Sequence, residues 1–554
     1  MKTRIILVLI TLSVLALYMS GLRNPLYWDD AGEFMTASFT MGISHSPGHP
    51  LFILIGRFFT LLMGGTGNSW LLFPLLASIF AVFLMSSNLE KEISLSSAFF
   101  AVMLFTNPYL AMNSLQGEVY SLHFLLICII YITILKKNFL AFCYFTGLSL
   151  CNNPSHIFTL PVLLIPFKKE LKDLRKLTTG SVLFLAAMTL YIYIPIRSVQ
   201  NPELNWMTPD NLRDFLNLTL AREFSSKLTG HSLNKEGFVN ALISKGWFPL
   251  GLIFAFLIAF IGIFVKRGLK AGKSSSFHGS GNIFFALSLL FIHLFTSLYF
   301  WGNSLALDAY LIPVYGLAVY ITIFGLKNIA NRFAISEKYY YAVLLIIMFS
   351  MIYKTEYVKT TSSPELYARK NLSEIPFKGL LATENSIVYF GCTYMKHVKG
   401  MRKDADLLYI PYRKYRFQKE PYNAFTDKIM KKNLNYLIRY NPSDLFIIKA
   451  SFLKPSGLLH RIDSSEFNDF DVAYHKRKLL ELKEHLDFSE DKVARRRLML
   501  LITQSGTIYY SRDKFREALE MYEDALEIEP SDSSIRKNIG IIKRELSKPN
   551  TNHS

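Results

Sequence analysis

Apolar residues in this chain come in long charge-free runs, not in the alternation of a half-buried sheet. Between Ile93 and Leu135 the only formal charge is Glu118, and residues 138–167 and 281–307 carry none. Uncharged runs of about 20 apolar residues are what a bilayer core demands. Met1–Tyr18 is such a run behind Lys2 and Arg4. No small-residue cleavage site follows it, so it reads as an uncleaved first helix with its N-terminus inside. Further spans are predicted near 70–87, 95–110, 119–135, 139–151, 155–167, 179–196, 246–265, 282–301, 308–326 and 339–353, about eleven in all. Basic loops at Lys136–Lys137, Lys168–Lys176 and Lys266–Lys273 belong in the cytosol. Glu118, the 198–245 loop and everything after Lys354 then fall outside. Residues 50–63 are apolar but short and contain Arg57. A crossing there would invert every later loop, so they are expected to lie flat on the outer surface as an interfacial helix.

After Lys354 the charges return and stay. Ser386–Phe390, Leu407–Ile410 and Leu445–Lys449 read as short buried strands between helical pieces, and Phe470–Leu498 as charged helices. Residues 499–530 fit one tetratricopeptide repeat, with Gly506, Tyr509, Ala518, Tyr522, Ala525 and Pro530 at its small, aromatic and terminal positions. A degenerate second copy follows, with Gly540 standing to it as Gly506 does to the first. The expected organisation is a membrane part, 1–353, with an external loop at 22–69; a mixed α/β region, 354–465; and a helical tetratricopeptide-like region, 466–554.

Composition sharpens this picture. Hydrophobic residues make up 51% and charged residues 19%, an average of two unlike regions. That excludes a wholly soluble or disordered chain. The four cysteines fit neither a disulfide framework nor a zinc motif. The net charge of +19 points to anionic phospholipid surfaces, and no nucleic-acid-binding motif accompanies it.

Chemistry concentrates just beyond the first helix. Tyr27-Trp28-Asp29-Asp30-Ala31-Gly32-Glu33-Phe34 is followed by His45-Ser46-Pro47-Gly48-His49-Pro50. Acids, histidines and turn residues clustered at a membrane face read as an external catalytic loop, where a carboxylate takes a proton from an incoming hydroxyl. Glu118 is alone in a long uncharged region, and a lone carboxylate at membrane depth is costly and marks a site.

Asp-x-Gly-Glu-Phe followed by His-x-Pro-Gly-x-Pro-Leu resembles the N-terminal signature of a family of multi-pass membrane proteins. That family includes the plexin-type protein O-mannosyltransferases of animals and their bacterial relatives. Glu118-Val119-Tyr120, Gly147-Leu148 with Asn152–His156, and Tyr193–Ser198 followed by Asn205-Trp206 resemble its further elements, in order. The family's Asn-His pair is loosened here to Asn153-Pro154-Ser155-His156. The resemblance implies a membrane α-helical, GT-C-like polytopic bundle with an external C-terminal domain. It also implies a glycosyltransferase that moves a sugar, mannose in the animal relatives, from a polyprenyl-phosphate carrier to a hydroxyl. The acceptor would be Ser or Thr of an exported protein, on the non-cytosolic face of the cell's inner membrane. On that basis Asp30 is the expected base, Glu33 orients the acceptor or holds Asp30, and Asp29 and Glu118 complete the acids. Arg197 is expected to grip the lipid phosphate with His45 and His49 beside it, while Trp206 and Tyr120 wall the sugar or acceptor. The acids would also suit a divalent cation, but a monophosphate-linked donor does not call for one, and no metal or cofactor is expected.

Two other functions explain less. A flippase or transporter of lipid-linked sugars accounts for the helices and basic loops, but not for acids gathered in one external loop or for a large external domain, and the transporter-type repeat symmetry with broken helices is not visible. A scaffold acting through its repeat region needs one anchor helix, not eleven.

Overall fold

The computed structural model of the chain describes residues 2–22, 24, 26–28, 30–64, 67–88, 94–224, 288–290, 292–293, 310–352, 360–383, 385–409, 435–438, 453–462, 468–486 and 491–548. Helix α1 (Lys2–Gly21) leads into α2 (Ala31–Thr40), α3 (Pro50–Leu62), α4 (Gly67–Asn88), α5 (Leu95–Phe105), α6 (Pro108–Gln116), α7 (Tyr120–Leu135) and α8 (Phe139–Asn152). Then come α9 (Leu174–Met188), α10 (Tyr193–Val199), α11 (Leu212–Thr219), α12 (Ile312–Arg332) and α13 (Glu337–Ile352). The chain continues through α14 (Ser363–Ser373), β1 (Leu380–Thr383), α15 (Ser386–His397), β2 (Asp406–Tyr409), β3 (Asn435–Ile438), β4 (Leu453–Ser456) and β5 (Leu459–Ile462). It closes with α16 (Asp469–His485), α17 (Lys492–Tyr510), α18 (Phe515–Ile528) and α19 (Ser533–Leu546). These elements form two compact units. One comprises 1–22, 41–64 and 68–359; the other comprises 23–40, 65–67 and 360–554.

The first unit is helical and apolar. Among the described residues four helices are long and apolar enough to cross a bilayer: Thr3–Gly21, Trp70–Asn88, Leu174–Val199 and Ile312–Asn331. A multi-pass membrane protein is the result. In Thr3–Gly21 and Leu174–Val199 only 17% of the apolar window is buried within the protein, so these helices present their apolar sides outward, as lipid-facing spans do; the other two are mostly buried. Aromatics fill the interior, with Phe142 against Phe167 at 4.8 Å and Tyr320 against Phe324 at 4.6 Å between ring centres. Two buried tyrosines find backbone partners: Tyr18 donates to the Phe105 carbonyl at 2.7 Å and Tyr315 to that of Met103 at 3.0 Å.

Several spans differ from the sequence reading, and proline explains two of them. The stretch 95–110 is not one helix but two, α5 and α6, bent by 63°. Pro108 lacks the N–H that would continue α5, and the Asn107 side chain caps the new helix by accepting from Leu110 N at 2.9 Å. The stretch 155–167 is not a continuous helix either. Pro154, Pro161 and Pro166 break it into 3-10 turns at Pro154–Thr159 and Ile165–Phe167 around a single turn, Leu160–Leu163. The span near 179–196 starts earlier, at Leu174, where Asp173 caps it by accepting from the N–H groups of Arg175 and Lys176. Helices α7 and α8 run 16 and 14 residues, under the ~20 of a full crossing. The spans expected at 246–265 and most of 282–301 lie outside the described residues.

The second unit is mixed α/β. Its sheet has the order β2-β1-β3-β5-β4, with β1 parallel to β2 and β3, and β5 antiparallel to β3 and β4. Ser386–Phe390, expected as a strand, is instead the start of α15, which crosses over between parallel β1 and β2. Asn385 caps it, accepting from Ile387 and Val388 N–H at 3.0 and 3.4 Å. A five-residue apolar run does not separate strand from buried helix. The strand at Leu407–Ile410 is found as β2, and Leu445–Lys449 lies outside the described residues. Helices α17 and α18 form a hairpin in which Gly506 faces Tyr522; a Cβ at Gly506 would lie 2.9 Å from the Tyr522 ring.

Candidate active site

Asp30 and Glu33 sit at the start of α2, in the second unit. Phe34 N–H donates to the Asp30 carbonyl at 3.0 Å, which closes the first helical turn around the two acids. A helix N-terminus favours negative charge there. Glu33 is fully buried and Asp30 half-buried; Asp29 lies outside the described residues.

Gly32 between them is a packing requirement. A Cβ at this position would lie 2.6 Å from the Phe390 carbonyl oxygen of α15. The turn before α2 is fixed from the same unit. Asn24 N–H donates to Thr360 Oγ1 at 3.0 Å, and the Trp28 ring lies 5.8 Å from that of Tyr367. The Trp28 indole N–H donates to both carboxylate oxygens of Asp491, at 3.0 and 2.9 Å. Asp491 also accepts from the Thr361 hydroxyl at 2.5 Å and, as N-cap of α17, from Ala494 N–H at 2.9 Å.

The other candidates sit in the first unit. His49 precedes α3 and is buried. Its Nδ1 lies 2.6 Å from the Asn152 carbonyl, which can only accept, so Nδ1 carries the proton. The Asn152 side chain in turn donates to the Val119 carbonyl at 3.2 Å. One asparagine thereby ties the histidine loop to Glu118-Val119-Tyr120. Burial, reinforced by neighbouring His45, pulls the His49 pKa down to about 3, so the ring is neutral at physiological pH. Glu118 is buried next to Gly117, whose positive φ of 73° ends α6. The Tyr120 ring meets that of Tyr310 at 5.0 Å.

Arg197 is held to the same loop region. Its Nε donates to the Met41 carbonyl at 2.7 Å and its Nη1 to Gln200 Oε1, while Tyr193 donates to the Gly42 carbonyl at 2.8 Å. Ile43 and Asn205 form a parallel bridge. This brings His45 to 6.1 Å from Trp206 and 5.5 Å from His49, ring centre to ring centre. Glu223 clamps the group, accepting from Ser46 N–H at 3.1 Å and from the Trp206 indole at 3.3 Å. Within the first unit, then, His45, His49, Trp206 and Arg197 come together around residues 41–49, and Glu118 and Tyr120 connect to His49 through Asn152.

Sequence reasoning missed Asn152 as a connector, and Glu223 and Asp491 as anchors. Only Asp491 carried a local signal, an acid directly before a helix, which reads as an N-cap. The first unit also holds a largely apolar cleft lined by Phe100, Phe124, Tyr131, Leu163 and Tyr320, with His156 and His293 among its polar members.

Residues 30–173 match the family model described as the N-terminal domain of the protein O-mannosyl-transferase TMEM260. The mouse protein O-mannosyl-transferase TMEM260 is 26% identical over 238 residues, which are 39% of this chain and 33% of that protein. The chain therefore spans about a third of the length of that relative. Among solved structures, ArnT from Cupriavidus metallidurans bound to undecaprenyl phosphate aligns with a TM-score of 0.45 and 12% identity, over 78% of this chain and 96% of that one. Its apo form aligns with a TM-score of 0.39 and 11% identity, over 81% and 95%. The ordered motifs and the matched stretch agree: the N-terminal part of this chain, from Asp30 onward, resembles the membrane protein O-mannosyltransferases.

Proposed function

We propose that the chain is a membrane glycosyltransferase that moves a sugar, mannose by its likeness, from a polyprenyl-phosphate donor to a Ser or Thr hydroxyl of an exported protein. The observation that carries this reading is a pair of buried carboxylates, Glu33 and Glu118, within the one stretch that matches an O-mannosyltransferase model. Two ionisable groups taken out of water on a largely apolar chain are expensive, and a reaction that moves a proton accounts for them.

In the proposed reaction the acceptor oxygen attacks the anomeric carbon and inverts it. The carbon–oxygen bond to the lipid phosphate breaks, and the bonding pair leaves with the phosphate. Asp30 takes the hydroxyl proton as the new bond forms, and Glu33 orients the acceptor. Arg197, fixed by Met41 and Gln200, offsets the charge on the departing phosphate. His49 is neutral with Nδ1 committed as a donor, so its Nε2 is an acceptor; it suits an acceptor hydroxyl better than a phosphate. His45, Trp206 and Tyr120 wall the sugar. The apolar cleft suits an isoprenoid chain, and no divalent metal enters the proposal. The finer architecture belongs to the same reading: about eleven spans, a tetratricopeptide-like C-terminal helical region, and an inner-membrane location with the C-terminal domain on the non-cytosolic side.

The test is Asp30→Asn in full-length protein. Undecaprenyl-phosphate carrying radiolabelled mannose serves as donor, and envelope proteins of a strain lacking the chain as acceptors. Loss of about a hundredfold or more in transfer is expected of a missing general base. Transfer at the wild-type rate by this variant overturns the assignment.

A further inference from the structure

Asp491 stands far from the candidate acids in sequence, yet it accepts the Trp28 indole N–H on both oxygens, two residues before Asp30. Both partners are enclosed, with Trp28 1% and Asp491 6% exposed. The same carboxylate accepts from Thr361 and from the first turn of α17. Two side-chain donors and a helix N-terminus thus converge on one carboxylate. A helix cap needs only the bond to Ala494. The bonds to Trp28 and Thr361 do a different thing: they join the turn that launches α2 to the start of a helix from the far end of the chain.

We propose that Asp491 is a positioning residue for the transfer reaction: through the Trp28 indole it fixes the turn that aims Asp30. The inference rests on the reading of Asp30 as base. On this view the C-terminal helices are part of the apparatus that holds the base, beyond any part they play in binding an acceptor. General-base catalysis depends steeply on where the acceptor oxygen and the base meet. Loosening the turn therefore lowers kcat while leaving donor binding, assigned to residues of the first unit, as it was.

The test compares full-length wild type, Trp28→Phe, Asp491→Asn, the double variant and Asp30→Asn. Each is assayed with undecaprenyl-phosphate mannose as donor, and rates are normalised to monodisperse folded protein. Trp28→Phe removes one N–H and keeps the ring against Tyr367, so it remains informative if Asp491→Asn folds poorly. Each single variant is expected to lose about tenfold in kcat with donor KM within about twofold of wild type. Because both act through one bond, the double variant is expected to be no slower than the slower single. The proposal is overturned if both single variants keep wild-type kcat per folded molecule while Asp30→Asn is inactive. It is equally overturned if the two losses multiply, or if the variants lower only the unfolding temperature. An active Asp30→Asn is a separate result: it removes the base assignment and is read independently of the coupling between Trp28 and Asp491.

Discussion

Gly32 illustrates how a motif residue between two acids is chosen by packing as well as by chemistry. The Phe390 carbonyl occupies the space a Cβ would take, and a backbone oxygen cannot swing aside as a side chain end does. Gly32→Ala is expected to cost about 1–3 kcal/mol, seen as a lower unfolding temperature in detergent; an unchanged temperature would mean that α15 yields freely. The residue scale is also where the sequence names its candidates. Acids, histidines and aromatics stand out because charge is rare in the N-terminal half, and the described ones sit at helix starts and in loops, several of them buried. What was not legible was the partner of each. Nothing near Trp28 in the sequence points to Asp491, and nothing near Ser46 points to Glu223, because such bonds depend on how distant segments are brought together.

Among elements, proline and asparagine decided where the sequence reading succeeded. Long apolar runs are recognisable as helices, but hydropathy alone does not register their interruptions at Pro108 and Pro154–Pro166. A short apolar run after Asn385 became a helix because the asparagine caps it and the parallel strands on either side need a crossover. Helix α16 offers a test at this scale. Its His475 is buried, with Nδ1 2.5 Å from the Gly457 carbonyl of the β4–β5 turn and Nε2 2.8 Å from Ser505 Oγ on α17. Burial, opposed in part by the bond to Gly457, lowers its pKa from 6.5 to about 4. Between those values the unfolded chain binds a proton that the folded chain refuses, so stability rises with pH across the window and is lost as pH falls through it. His49 acts in the same direction over a window reaching down to about 3. The unfolding temperature of the full chain is expected to fall between about pH 7 and pH 5, and His475→Gln is expected to flatten that fall. An unchanged slope in the variant would assign the dependence to other groups.

At the scale of the whole molecule, two kinds of surface coexist. Helices α1 and Leu174–Val199 present apolar sides with little protein against them, while α16 to α19 alternate charge and core as water-soluble helices do. The proposed topology places residue 554 on the non-cytosolic side. Alkaline phosphatase fused there is expected to be active, since it folds only outside the cytosol; an inactive phosphatase with a fluorescent cytosolic reporter at the same point would reverse the orientation. Charge density alone sets the expected boundary between membrane and water-soluble parts near Lys354. That residues 23–40 pack with 360–554 is not legible in the sequence, because hydrophobic pattern is blind to which distant segment an element will join.

The bond between Trp28 and Asp491 closes a loop of 463 residues, and this sets a timetable for the newborn chain. The ribosome delivers the turn bearing Asp30 early and its anchor almost last. At roughly 5–20 residues per second, the wait is roughly 20 to 90 s. Throughout that interval nascent chains lack the contact proposed to aim Asp30, so on that reading their transfer stays slower than that of the finished chain. Full rate arrives only with the anchor.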